Sequence, residues 1–596
     1  LSQSTPLDAA TLAEAFQRTV ALYPDKTAIQ TLDGSVRHTW SELADKVRRT
    51  AAGLASFGIG HGDTVAIVLP NTIDCHIIDY AAAHLGAVPY AIFNSAPAEQ
   101  IEHQLRRADA ALVVTQQEFL EKVSQAAAAV GDQLRHVVVV DGSAPQGVTS
   151  LSDLEQSGEP DFDFDGAWRT ITADDLVALI FTSGTTGPPK AALYSHRNAM
   201  SQLRSMDAAL PLATENIISF MPMAHAGGRI STHYMALAYG ATITVCPDIK
   251  QLLNALPIVR PDSFFAVPRF WEKIQVAIEA LIHGQPEDRR TALQRSIEVG
   301  LQHTKAADSG SSAATASNPA LDAEFIEATA QLKPILAQLG LDRIKSAFVG
   351  GAPSAPELSQ FFRAVGVPML EAYGLTEGCL NIFNQVEKFK SGSAGKPLPG
   401  VEVRLADDGE LLVRSDLNFV GYRHQPDATA AAIDADGWLH TGDIATIDDN
   451  GFVSVVDRKK ELIINSAGKN MSPATIESAI TGESSLLGQV VAIGDRRKYV
   501  TALITLDPEA ASTYAQRLGL RDRPLEELVA APEIQREVAS AVERGNNRLN
   551  SNEQIKKFTV LPTVWLPDTD ELTPTAKLKR RVINEKYAEE IEHLYA

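Results

Sequence analysis

Short apolar runs alternate with segments of helical spacing through the N-terminal part of this chain, and few architectures accommodate that alternation. Residues 64–69, 111–114 and 136–140 are apolar enough to be buried strands. Residues 11–22, 39–54 and 74–86 have helical spacing instead. Leu12, Phe16 and Val20 share one face of the first, which ends before Pro24. In the second, Thr39 is followed three residues later by Glu42, the pattern of a capping box, and Leu43, Val47 and Leu54 line one side. Strands that alternate with helices pair in parallel, because each helix returns the chain to the same end of the sheet. The expected fold class is α/β.

At 596 residues the chain is too long for one ordinary core. Strand-like runs continue at 217–223, 241–246, 263–268, 344–350 and 369–375. Residues 282–342 break the pattern. Two charged helical segments there flank a small, polar, low-complexity run, 309–318, read as a surface loop. From Gly400 the texture changes to short strands and turns, a small β unit. Asp457-Arg458-Lys459-Lys460 is a charged hinge candidate. The expected organisation is a large domain of layered α/β subdomains plus the β unit over 1–456, a hinge at 457–460, and a smaller mobile α+β domain over 461–596.

The apolar run 176–180 leads into Phe181-Thr182-Ser183-Gly184-Thr185-Thr186-Gly187-Pro188-Pro189-Lys190. Glycines let backbone N–H groups approach an anion, hydroxyls bond phosphate oxygens, and Lys190 adds positive charge. The stretch reads as a triphosphate-binding loop. It is not a Walker loop, which needs Gly-Lys-Ser/Thr opening a helix; Lys190 follows two prolines and precedes Ala191, so no helix N-terminus is expected under the phosphate.

Composition excludes some functions. The hydrophobic share of 45% and charged share of 21% are those of a globular protein in water. A net charge of -21 argues against duplex nucleic acid as partner, yet leaves room for a local basic pocket. Cys75, Cys246 and Cys379 are odd in number and far apart, so neither a disulfide framework nor a cysteine metal cluster is expected. A cytoplasmic location fits. Residues 1–6 lack a signal pattern, and no apolar run reaches the ~18 residues of a span. Peripheral membrane contact and oligomeric state stay open.

Three more blocks stand behind the loop: Tyr373-Gly374-Leu375-Thr376-Glu377; His440-Thr441-Gly442-Asp443 with Asp457-Arg458; and Leu572-Thr573-Pro574-Thr575-Ala576-Lys577. In this order and at these intervals the four blocks resemble the adenylate-forming superfamily. Over about residues 35–585 the chain looks like an acyl-CoA synthetase, nearest in pattern to the long-chain fatty acid ligases. The resemblance implies ATP-dependent conversion of a carboxylic acid to acyl-AMP and pyrophosphate, then transfer to coenzyme A. It implies Mg2+ as the metal, and the fatty acid, ATP and coenzyme A as small-molecule partners.

Site roles follow from the same resemblance. Thr182, Ser183, Gly184, Thr185, Thr186, Gly187 and Lys190 would hold phosphates, with Thr185 and Glu377 on the metal. Gly351, Ala352, Pro353, Glu371 and Tyr373 would form the adenine slot, Tyr373 stacking, and Ala372 and Gly374 would also bind the nucleotide. Thr376 would contact the α-phosphate, Asp443 the ribose hydroxyls, and Arg458 the ribose or phosphate. Lys577 would be the catalytic lysine; the glycine common before it in relatives is Ala576 here. His225, Ala226, Gly227, Gly228, Val267 and Ala352 fall where relatives line the acyl pocket, the small residues leaving space for an apolar chain. Asp457 or Lys460 would be the hinge, and Gly468 and Lys469 would meet coenzyme A after domain rotation. Each residue has a plainer alternative: a loop acid for Glu377, a turn residue for Asp443, core for Tyr373, a basic tail for Lys577, packing or gating for His225. A ligase that loads a carrier protein, a coenzyme A ligase for an aryl or steroid-side-chain acid, and a non-catalytic nucleotide or acyl binder are the competing readings.

Overall fold

The computed structural model describes residues 4–182, 188–211, 214–308, 318–466, 469–517, 523–566, 569–573 and 576–596. Helices begin where the sequence supplies caps. Thr11 Oγ1 accepts from the Glu14 N–H ahead of Leu12–Leu22. Thr39 and Glu42 close a reciprocal capping box ahead of Trp40–Ser56. The N–H groups that the first helical turn cannot pair are thereby satisfied.

Three sheets carry the larger part. One is parallel throughout, in the order Val88–Ala91, Thr64–Val68, Ala110–Thr115, His136–Val139, Thr149–Ser150. Every residue of Thr64–Val68 is buried, which is why the strand is an unbroken apolar run. The second orders Asn216–Ser219, Thr242–Val245 and Thr27–Thr31 in parallel, with Arg37–Thr39 antiparallel at its edge. The third runs Ser263–Ala266, Ser346–Gly350 and Met369–Leu375 in parallel, followed by antiparallel Cys379–Phe383 and Lys396–Pro397.

The expected strand over 217–223 stops at Ser219. Asn71 Nδ2 donates to the Met221 carbonyl, and Pro222 has no N–H to continue a ladder. The chain turns there into Ala226–Gly228 and a π-helix, Arg229–Tyr234, that sequence spacing did not signal. The charged segments are helices Glu287–Ala307 and Pro319–Gln338; residues 309–317 between them lie outside the described residues. The small β unit is an antiparallel sheet of Glu402–Leu405, Glu410–Arg414, Leu439–Ile447 and Val453–Arg458.

The C-terminal part has its own sheet, Leu487–Ile493, Val500–Leu506 and Ile555–Val560, with helices Pro473–Thr481 and Pro532–Asn546 packed on it through Ile476, Ile480, Val538 and Ile504. Leu503, Trp565, Ile583 and Leu594 form a second apolar cluster there. Among the described residues, no buried apolar cluster joins this part to the rest. The N-terminal clusters end at Val453, and the C-terminal ones begin at Ile463. No helix among the described residues is long and apolar enough to cross a membrane.

Candidate active site

The expected phosphate loop closes a hairpin. Strands Leu176–Phe181 and Ala191–Ser195 pair antiparallel, so a strand and not a helix follows Lys190. The Thr182 N–H donates to the Lys190 carbonyl at 2.9 Å, and the Lys190 N–H donates to Thr182 Oγ1 at 3.1 Å. Ser183, Gly184, Thr185, Thr186 and Gly187 lie outside the described residues. Gly421–Tyr422 adds to this hairpin, pairing with Leu193 and Ala192. Tyr422 then does two things. Its ring lies 4.3 Å below the Lys190 ammonium, and its hydroxyl donates to Glu377 Oε1. One tyrosine thus ties the loop's cation to the carboxylate of the second block. Sequence reasoning missed it, because nothing local distinguishes Gly421-Tyr422 from any short edge strand.

The second and third blocks meet through strand ends. Gly350 pairs with Ala372 in the parallel sheet, so the turn Gly351-Ala352-Pro353, which is exposed, emerges beside Tyr373. Loops at the C-terminal ends of parallel strands are where α/β sheets bind ligands. Asp443 and Arg458 face each other across their antiparallel ladder, which puts both side chains on one face. Arg458 Nε lies 2.9 Å from Asp443 Oδ1, and Tyr373 Oη donates to Asp443 Oδ2 at 2.5 Å. Burial raises the Asp443 carboxyl above its ordinary range, and Arg458 and Tyr373 act against that. Each carboxylate oxygen keeps a second lone pair that could accept from a hydroxyl. Thr376 and Ala372 are half-buried beside this cluster.

Two residues expected to bind the nucleotide have other occupations. The Glu371 side chain is buried, accepting from Ser359 Oγ at 2.5 Å and from Asn384 Nδ2 at 2.7 Å. Burial raises its carboxyl, against the opposing effect of those donors. It ties its strand to helix Pro356–Ala364 and does not offer a free carboxylate to a base. At Gly374 a Cβ would stand 2.1 Å from the Cys379 carbonyl, so close strand approach alone requires glycine.

Lys577 comes from the C-terminal part. Its N–H donates to Thr573 Oγ1 at 3.0 Å, and its carbonyl accepts from Thr573 N–H at 2.8 Å, closing a tight loop. The side chain is half-buried. Burial lowers its ammonium pKa, Arg458 lowers it further, and Asp443, Glu461 and Glu377 oppose the shift. The lysine therefore sits in the field of the N-terminal blocks. Ala576 has φ 59°, the left-handed region where a glycine would rest without strain. Arg580 anchors the loop: its fork reaches both oxygens of Glu477 at 2.6 and 2.8 Å, and its Nε lies 3.3 Å from Glu461.

The expected acyl-pocket residues divide. His225 Nδ1 accepts from the Gly227 N–H at 3.0 Å, which leaves the ring proton on Nε2. Burial first, and then the Lys577 charge, push its pKa down to about 4, so the ring is neutral at pH 7. Val267 lies beside Gly351, 3.7 Å from where a Cβ would be. Gly227 and Gly228 are closely packed on the side where a Cβ would stand. A Cβ on Gly228 would lie 2.4 Å from the Pro222 carbonyl oxygen, and one on Gly227 would lie 2.9 Å from the Phe265 ring. Tight packing is one reason for glycine at both positions.

The two expected hinge residues also differ from one another. Asp457 is buried in strand Val453–Arg458, and its Oδ2 accepts from Ser472 Oγ at 2.6 Å and the Ala474 N–H at 3.0 Å. It caps the first helix of the C-terminal part. Lys460 is exposed in the turn that follows. Lys469 is exposed on the small hairpin Ile463–Ile464/Asn470–Met471, and Gly468 lies outside the described residues.

These features define a two-part α/β protein in which a small C-terminal unit carries a lysine to the strand ends of a larger one. A family model described as AMP-binding enzyme matches residues 16–423, and one described as AMP-binding enzyme C-terminal domain matches residues 460–596. The chain belongs to the AMP-binding enzyme family, the adenylate-forming superfamily. A putative fatty-acid–CoA ligase, fadD11 of Mycobacterium tuberculosis (strain ATCC 25618 / H37Rv), is 41% identical over 76% of this chain and 79% of its own length. The long-chain-fatty-acid–CoA ligase FadD15 of the same strain is 32% identical over 94% of this chain and 92% of its own. The adenylation domain of a carboxylate reductase from Mycobacterium chelonae has the same fold: TM-score 0.75, 23% identity, 99% of this chain and 92% of that one.

Proposed function

We propose that this protein joins a medium- or long-chain fatty acid to coenzyme A in two steps at one site. The observation that carries the reading is the placement of Lys577 in the field of Asp443, Arg458 and Glu377, groups from a different part of the chain. In the first step a carboxylate oxygen of the acid bonds to the α-phosphorus of ATP. The bond to the bridging oxygen breaks, and pyrophosphate leaves with the electron pair. Negative charge builds where the two anions meet, and a lysine whose ammonium is under-neutralised gains most from their arrival. No protein nucleophile is required. In the second step the coenzyme A thiol, its proton lost to solvent, attacks the acyl carbonyl; the bond from that carbon to the phosphate oxygen breaks, and AMP leaves with the electron pair.

Mg2+ fits the donors. Glu377 offers one hard carboxylate, and Thr185 would add a hydroxyl. Among the described residues no group of three or more His, Cys, Asp or Glu could hold a metal unaided. That suits an ion held by one or two protein oxygens together with substrate phosphates. Bound there, it would neutralise the departing phosphates.

An oily acid is favoured over an amino acid. No Asp or Glu stands between Met221 and Ile230 to pair with an ammonium, and an unpaired buried charge is costly. The names of the relatives at 41% and 32% identity point the same way. Pyrophosphate release and coenzyme A thioester formation, measured across saturated acids of increasing length and an aryl acid, test the reading. The expected result is turnover rising to medium and long chains. Absence of pyrophosphate with every acid would overturn it, and thioester only on a carrier protein would reassign the acceptor.

A further inference from the structure

The C-terminal part shares no apolar cluster with the rest among the described residues, and polar contacts cross between the two. One of these centres on Arg269, the second residue of helix Pro268–His283, which begins directly after Val267; Arg548 with Glu357 is another. Its Nη2 donates to two groups of the C-terminal part, the Leu487 carbonyl at 3.1 Å and Asp507 Oδ2 at 2.8 Å. Its Nη1 donates to Glu272 on its own helix at 3.0 Å. Both acceptors sit at one end of the paired strands Leu487–Ile493 and Val500–Leu506, where Leu487 and Leu506 are partners. Asp507 is itself held: its Oδ1 accepts from the Glu509 and Ala510 N–H groups at 3.2 and 3.0 Å. The Asp507 side chain is 15% exposed and that of Arg269 34%, so the pair is shielded more than a surface pair. By contrast Lys273–Glu509, at 2.8 Å, is 37% and 77% exposed and contributes little.

We propose that Arg269 is a positioning residue, a latch whose Nη2 bonds to Leu487 and Asp507 hold the C-terminal part where Lys577 reaches the site. The inference rests on the proposed function for its kinetic readout. A fixed, bifurcated guanidinium suits this task because two acceptors set direction as well as distance. The latch serves the adenylation step, the one that uses Lys577, and breaking it frees the C-terminal part without touching a group that meets substrate.

The test compares wild type with Arg269→Met, Arg269→Lys, Asp507→Asn and the Arg269→Met/Asp507→Asn double variant. ATP–pyrophosphate exchange reports the first half-reaction, and thioester formation from supplied acyl-adenylate reports the second. Arg269→Met should slow exchange roughly 10- to 100-fold and leave the second half-reaction within about twofold. Arg269→Lys, which keeps the charge but not the fork, should fall between. The double variant should be no slower than Arg269→Met, because the pair acts as a unit. Labelling of Lys577 by an amine reagent, read by mass spectrometry, is independent of turnover and should accelerate in Arg269→Met. Unchanged labelling, exchange within twofold of wild type, or equal loss of both half-reactions would each overturn the latch. Wild-type protein that exchanges with no acid would instead overturn the proposed function, leaving the labelling result to decide the latch.

Discussion

Tyr422 shows how one side chain can join two motifs far apart in sequence. Its ring carries the Lys190 ammonium and its hydroxyl supports Glu377. Tyr422→Phe keeps the first contact and removes the second. A hydrogen bond to a charged group contributes about 1.5–3 kcal/mol, so kcat/KM for MgATP should fall roughly 10- to 100-fold with little change in melting temperature. ATP–pyrophosphate exchange at varied MgATP measures this. At Lys577 the expectation is sharper. Lys577→Ala should abolish exchange yet retain thioester formation from supplied acyl-adenylate, and unchanged exchange would remove the lysine from the chemistry. The residue types at both positions were legible beforehand for Lys577 and Glu377, because their blocks are contiguous. Tyr422 was not, since Lys190 and Glu377 lie in a loop and a turn far apart in sequence, and the pairing of Tyr422 with Ala192 sets it between them.

Among elements, the segment from Met221 to Tyr234 departs most from its expected form. A strand was expected through residue 223, and small residues were expected to leave room for a chain. Instead the ladder ends at Ser219, and a π-helix follows the His225 turn. Such helices recur at functional sites. Buried charges secure this one: Arg229 Nη2 lies 2.7 Å from Asp79 Oδ2, and His233 Nε2 2.9 Å from Asp79 Oδ1. Gly228→Ala would drive a Cβ into the Pro222 carbonyl, which cannot yield as a side-chain tip would. Overpacking of this kind costs about 1–3 kcal/mol or more. The melting temperature should drop roughly 1 °C per kcal/mol lost, the scale for a domain of this size, and KM for the acid should rise as His225 moves. Calorimetry and acid titrations of initial rate check the two effects. Helix starts were far more legible than this turn. Thr11 and Thr39 cap through atoms three residues away, whereas the Met221–Tyr234 path depends on Asn71 and Asp79, distant in sequence.

For the whole molecule, buried histidines set the response to acid. Burial pushes His84 down to about 4 and His196 down to about 3, and lowers His76 well below its ordinary value. In the unfolded chain each takes a proton near pH 6.5. Between that pH and about 4 the unfolded state binds more protons, so stability falls as pH falls and is whole above 6.5. At pH 5 each such ring costs about 2 kcal/mol. Asp79 acts in the same sense lower down: burial raises its carboxyl, but Arg229 and His233 outweigh that and hold it at about 2. Urea midpoints should therefore be clearly lower at pH 5.0 than at pH 7.5, and equal midpoints would refute the account. By itself the sequence determined the alternation of helix and strand, the helix caps, the four motif blocks and the separate C-terminal part, because each is written in neighbouring residues. Tertiary structure alone decided that Asp443 is shared by Tyr373 and Arg458, that Glu371 is taken by Ser359 and Asn384, and that Lys577 stands among groups from the N-terminal part. Those pairings depend on strand register and on how two cores dock, and neither leaves a trace in local spacing.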